Sequence, residues 1–227
     1  MDPLHLGVNP AAASAITSLQ CGLFAARFKD VKGLNFMSLA IAMPFGKLVS
    51  GIVLQHTSSY GYQQNDLDLV LSKDLGALSV GIIFHSKFIS IQSMGGYHSM
   101  NVGVGFTKTS GQLSFGASVT GIGLAKELGG AQTQVVKVSS QCLFKVSPVV
   151  SIGVVGSKQT GQIVSIQSAI FYRAGVINFS MGFDTPGSRV FLLTGWLFKA
   201  FEVRMQLGYQ ASLGLINGVE FLYKRAR

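Results

Sequence analysis

The feature that most restricts this chain is a period-two alternation of large apolar with small or polar residues, which returns along almost its whole length. Successive side chains of a strand point to opposite faces, so strict alternation marks a strand with two different environments. Met37-Ser38-Leu39-Ala40-Ile41-Ala42-Met43 puts the large residues on odd positions. Asn65-Asp66-Leu67-Asp68-Leu69-Val70-Leu71 sets two aspartates against three leucines. Met100, Val102, Val104 and Phe106 oppose Asn101, Gly103 and Gly105, and Val203, Met205, Leu207 and Tyr209 oppose Glu202, Arg204, Gln206 and Gly208. With the less regular segments, the pattern predicts fourteen strands near 18–29, 33–43, 46–56, 62–73, 76–87, 97–108, 111–122, 133–146, 148–157, 160–173, 175–184, 188–198, 200–210 and 213–224.

Composition says what such strands are for. Only 12% of the 227 residues are charged, 48% are hydrophobic, and mean hydropathy is +0.43. Disorder is excluded by the apolar content, and soluble domains carry roughly twice as many charges, about 25%. A membrane is the natural solvent. No run approaches the roughly 20 apolar residues of a spanning helix. Lipid offers no partner to unpaired backbone groups, so a closed β-barrel is the other way across. Each repeat of roughly 16 residues leaves about 11 for the strand, close to the 9–11 that cross a bilayer at a tilt. The expected fold is an all-β, antiparallel up-and-down transmembrane barrel spanning 18–227, and an even strand count suits a single-chain bacterial barrel.

Loop lengths add a check. Tight inner turns are expected at Pro44-Phe45, Asp74-Leu75, Thr109-Ser110, Ser147, Ala174 and Lys199, and longer outer loops at Thr57–Gly61, Phe88–Gly96, Gly123–Gln132 and Thr185–Gly187. One face of the strands is Leu, Ile, Val, Phe and Met almost without charge. A basic side chain facing lipid at mid-bilayer costs about 2–4 kcal/mol, so the other face lines the lumen. Its candidate charges are Asp66, Asp68, Lys137, Arg173, Asp184, Glu202, Arg204 and Glu220. Both signs are present, so the interior is either filled by internally paired charges or left open as a solute path. A soluble sandwich or propeller would turn a Lys- and Glu-rich face to water, whereas this polar face is rich in Gly and Ser. Tyr60, Tyr62, Tyr97, Tyr172, Trp196, Tyr209 and Tyr223 fall mostly near strand ends, as interfacial aromatic girdles do.

Other classes have little behind them. The net charge of +9 is spread singly except at Lys224-Arg225-Ala226-Arg227, which is not a phosphate-tracking groove, and no nucleic-acid partner is expected. Cys21 and Cys142 form no C-x-x-C or Cys/His spacing and read as small apolar side chains. His5, His56, His85 and His98 have no metal spacing, and His98-Ser99 puts base and hydroxyl on opposite faces of a strand. Neither a metal, a cofactor nor an enzyme activity is expected. Residues 1–7 contain no basic stretch followed by an apolar run, so a secreted barrel is expected here as a mature form. The basic charge leaves a mitochondrial outer-membrane barrel as the alternative to a bacterial one.

Residues 1–17 form a separate cap or plug. Asn9 suits an N-cap, Pro10 the first helical position, and Ala11, Ala12 and Ala13 favour helix. Eight strands are filled by their own side chains and 16–18 leave a channel, so fourteen leave room for a segment tucked inside; a cap over the mouth is the other option.

Asn9-Pro10-Ala11-Ala12, Met43-Pro44-Phe45-Gly46 and Leu75-Gly76-Ala77-Leu78-Ser79-Val80-Gly81 resemble the FadL superfamily of outer-membrane barrels, and within it the Gly-rich PorV/PorQ-type proteins of Bacteroidota. The resemblance implies a fourteen-stranded barrel in contact with membrane lipid. It implies one of two roles: partner subunit in a larger outer-membrane complex of type IX secretion, as PorV-like proteins are, or a passive FadL-like channel for small or hydrophobic solutes.

Overall fold

The computed structural model describes residues 6, 8–123, 135–185 and 188–225. They form fourteen strands: Gln20–Phe28 (β1), Asn35–Phe45 (β2), Leu48–Ser59 (β3), Tyr62–Asp74 (β4), Ser79–Ile91 (β5), Gly95–Ser110 (β6), Leu113–Gly123 (β7), Lys137–Lys145 (β8), Val150–Gln159 (β9), Ser165–Ala174 (β10), Ile177–Thr185 (β11), Arg189–Phe198 (β12), Phe201–Gln210 (β13) and Gly214–Lys224 (β14). Each pairs antiparallel with its sequence neighbours. β1 and β14 close the ring, with Gln20 opposite Lys224 and Phe28 opposite Ile216. Closure removes the two free edges that an open sheet would expose. No helix among the described residues is long and apolar enough to cross a membrane.

Every expected strand is present, with differences at the ends. The reversals expected at Pro44-Phe45 and Thr109-Ser110 lie two residues later, at 46–47 and 111–112. Gly46 and Gly111 take φ of 63° and 58°, which a turn this tight demands and a side chain resists. Two expected outer loops shrink to 60–61 and 92–94, because β3 to β6 continue their ladders as far as Ser59↔Tyr62 and Ile91↔Gly95. The outer loop expected at Gly123–Gln132 lies largely outside the described residues, as do parts of that at Thr185–Gly187, His5 and the last residues of the basic C-terminus. We call the end of the barrel bearing connections 46–47, 75–78, 111–112, 146–149, 175–176 and 199–200 the turn end, and the opposite one the loop end.

The two faces separate as the alternation requires. Met37, Leu39, Ile41 and Met43 of β2 point outwards and are half exposed, while Ser38, Ala40 and Ala42 between them are buried. In β14, Val219 and Phe221 point out and Ile216, Glu220 and Leu222 point in. The outer wall is therefore an apolar belt. A cluster of buried apolar residues lies inside the ring, where Leu6, Ala13 and Ile16 meet Ala40, Ala42, Val49, Val53, Val70 and Ile83.

Candidate functional site

The lumen has a covered side and an uncovered side. On the covered side the N-terminal segment folds into a 3-10 helix, Pro10–Ala15. Asn9 caps it, its Oδ1 accepting from Ala11 N–H at 3.1 Å, and Pro10 occupies the first turn, where its missing N–H costs nothing. The same Asn9 amide donates outwards to Phe106 O at 3.1 Å and Thr107 Oγ1 at 3.3 Å, fastening the cap to β6. Ser72 of β4 donates to Ala11 O at 3.0 Å, and Ser118 of β7 to Val8 O at 3.1 Å. Glycines make the seat: a Cβ on Gly81 would run into the Pro10–Ala11 peptide, and one on Gly105 into the Asn9 carboxamide. The segment thus fills the turn end of the lumen against β2 to β7.

Across the lumen at the same end, charges replace apolar packing. Glu202 of β13 is 1% exposed. It accepts from Arg204 Nε at 2.6 Å, from Lys224 Nζ at 3.1 Å, and from the Asn178 amide of β11. Arg204 Nη1 also reaches both oxygens of Glu220, at 3.2 and 3.3 Å. Two carboxylates and two cations balance, and each buried oxygen of Glu202 has a donor, the condition under which buried charge is tolerated. A second polar ladder rises on β4 and β5. Gln64 donates to Asp66, His85 pairs with Asp68 and stands 3.9 Å from Asp66, and Lys87 lies opposite Asp66 in the register.

Between these features is a chamber of about 260 Å³ in the loop-end half of the lumen, bounded by β1 to β3 and β10 to β14. Phe24, Phe36, Phe191 and Leu193 give it an apolar wall, while Gln167, Asp184 and Arg189 supply polar groups. Asp184 accepts from Ser165 at 2.9 Å and Gln167 at 3.0 Å. Glu220, held by Arg204, stands where the chamber meets the charged network.

All eight charges expected on the lumen face share that face in the observed register. Asp66 and Asp68 fall in the β4–β5 ladder; Glu202, Arg204 and Glu220 come together in one network; Asp184 lines the chamber. Lys137 and Arg173 stand apart, opposite Gln159 and Asn178. Asn9, Pro10 and Ala11 lie in the lumen, not over its mouth. Sequence reasoning missed Lys87 and Lys224, which extension of the period-two count along β5 and β14 would have found, and Arg189, whose strand offers no such count. It also missed the inward phenylalanines, since Phe191-Leu192-Leu193 is apolar on both faces and has no phase to read.

Fold and interior define a closed fourteen-stranded barrel with an apolar outer wall and a lumen partly filled by its own N-terminal segment. The chain matches no protein-family model, and no curated protein matches it. Among solved structures it is similar to CymD, a monoaromatic hydrocarbon channel, with a TM-score of 0.68 at 12% identity over 100% of this chain and 94% of that one. It is also similar to a multiply substituted form of Rh. blastica porin, with a TM-score of 0.57 at 7% identity over 92% of this chain and 99% of that one. A second, triple-substituted form of the Rhodopseudomonas blastica porin gives 0.54 at 8% identity. At such identities the likeness is one of fold alone, a closed antiparallel barrel.

Proposed function

We propose that this protein is a passive, non-enzymatic conduit for small, largely apolar solutes across a bacterial outer membrane, of the FadL-like kind. The observation that carries the reading is the chamber walled by Phe24, Phe36, Phe191 and Leu193 in the part of the lumen that the N-terminal segment leaves uncovered. Apolar walls around a confined space favour a solute with an apolar body, and a few convergent polar groups orient it. A cavity of roughly 150 Å³ accommodates benzene, so about 260 Å³ suits a single substituted ring. The monoaromatic hydrocarbons named for CymD have this size and chemistry. The apolar outer wall supports a bilayer setting. A PorV-like role as partner in a secretion complex has no comparable feature behind it.

Uptake into liposomes containing the purified barrel tests the reading. Toluene-sized solutes should enter faster than sugars of similar mass, and Phe191→Asp should abolish the preference without unfolding the barrel. Equal entry of both solutes, or a preference untouched by Phe191→Asp, would overturn it.

A further inference from the structure

The outer wall is not uniform. Where β1 and β14 close the ring, a hollow of about 620 Å³ lies on the outside, formed chiefly by the outward residues Ala25, Met37, Met205, Leu207 and Val219. Its floor is low because Ala25, the smallest of these, sits between the larger Met37 and Val219 in the register. One step nearer the loop end, the same hollow meets Arg27, which has Asn217 opposite it on β14 and Asn35 opposite it on β2. The three form a polar row across adjacent strands, directly above an apolar trough.

This row is unlike the rest of the wall. Arg173, Arg189 and Arg204, the other arginines of the described strands, face the lumen, while the Arg27 side chain is exposed on the outside and has no hydrogen bond or ion pair with a described residue. It lies one residue from the loop end of β1, and Lys29 and Lys32 follow it, with Asp30 between them, in the connection 29–34; in a bilayer the ends of spanning strands meet the headgroups. A lone arginine needs no company merely to reach the interface. Asn35 spends one amide N–H on Gly33 O at 3.1 Å and keeps a second; two flanking amides with N–H groups to offer, above an acyl-sized trough, are what a phosphate with an attached chain requires.

We propose that this hollow seats one anionic, phosphate-bearing membrane lipid, for which phosphatidylglycerol is the probe, its phosphate on Arg27 between Asn35 and Asn217 and an acyl chain over Ala25. The inference rests on the barrel standing in a bilayer and is independent of what passes through the lumen. Native mass spectrometry of the delipidated protein, exposed in detergent to phosphatidylglycerol or to phosphatidylcholine, tests it. One phosphatidylglycerol should stay bound at energies that strip phosphatidylcholine. Arg27→Gln removes a charge-assisted contact, and Ala25→Leu fills the trough. Each should lower retention about tenfold, and Lys158→Gln, which removes an outward charge at the loop end of β9, should not. Equal retention of both lipids, loss in only one of the two hollow variants, or a matching loss in Lys158→Gln would overturn the proposal. Failure to insert into phosphatidylcholine vesicles would instead count against the bilayer setting. All three substitutions lie on the outer face, so a heat-modifiable band on an unboiled gel separates loss of lipid from loss of fold.

Discussion

The covered and uncovered sides of the lumen break the same rule in the same way and end differently. On β3 to β5, Val53, Val70 and Ile83 point inwards between outward apolar neighbours, and the N-terminal segment buries them to 3% exposure or less. On β1, β2 and β12, Phe24, Phe36, Phe191 and Leu193 point inwards too, yet what faces them is the chamber. A barrel of this width cannot be filled by strand side chains alone. The chain fills one side with a segment whose Leu6 and Ile16 each contribute about 1.5–3 kcal/mol of burial. The other side keeps its apolar wall free, closing its turn end with ion pairs that need no added segment. An inward apolar residue in such a barrel therefore marks either a docking site for the chain itself or a surface left for a solute.

The largest test of this contrast is Glu202→Ala. It leaves Arg204 and Lys224 without their shared partner in a buried site, and breaking such a network costs about 3–5 kcal/mol. The midpoint of urea unfolding, followed on the heat-modifiable band, should fall accordingly and should respond little to salt, since the pairs are shielded from ions. A loss under 1 kcal/mol, as for exposed pairs, would mean that the charges merely line water and that both sides of the turn end depend on the segment.

Much of this was legible in the sequence, for a definite reason. Where large and small residues alternate strictly, as in Met37–Met43, phase gives strand, face and register together, because a one-residue slip would turn the apolar set inwards. Asp66, Glu202 and Arg204 were assigned to the lumen by that phase alone. The N-terminal segment was legible in Asn9-Pro10-Ala11, whose capping and first-turn chemistry is local. The phase fails at Ile52-Val53-Leu54, Leu69-Val70-Leu71, Ile82-Ile83-Phe84 and Phe191-Leu192-Leu193, where both faces are apolar. The first three runs are covered by the segment, and the fourth joins Phe24 and Phe36 in the chamber wall. Which of the two holds depends on where the segment docks, a contact across roughly 40 to 70 residues of chain that no local pattern encodes.

Two substitutions probe the covered side at intermediate size. Gly81→Val places a branched side chain where the Pro10–Ala11 peptide lies. Overpacking of this kind costs about 1–3 kcal/mol, and eviction of the segment should raise liposome permeability to small sugars severalfold. If stability falls while permeability holds, the segment is not what closes that side. Asn9→Ala removes the cap and the links to Phe106 and Thr107 together, for an expected loss of about 1–2 kcal/mol. The permeability change should be smaller than for Gly81→Val, because Leu6 and Ile16 still anchor the segment.

The finest discrimination comes from two buried serines facing the two sides. Ser72 Oγ donates to Ala11 O at 3.0 Å and lies 3.2 Å from Val80 O, so its hydroxyl joins wall to segment. Ser38 Oγ, equally buried at the chamber wall, has no partner among the described residues. Ser72→Ala removes the link between wall and segment, leaving Ala11 O only the Ser14 hydroxyl at 2.9 Å, and should cost about 0.5–1.5 kcal/mol, whereas Ser38→Ala removes an unpaired hydroxyl and should be neutral or slightly stabilising. The same substitution on β2 and β4, two strands apart in the ring, thus reads out whether an inward position is occupied by the chain or held open. If Ser38→Ala proves as costly as Ser72→Ala, its hydroxyl has a partner in the working protein and the chamber is filled. If instead only its solute preference changes, the hydroxyl serves whatever enters.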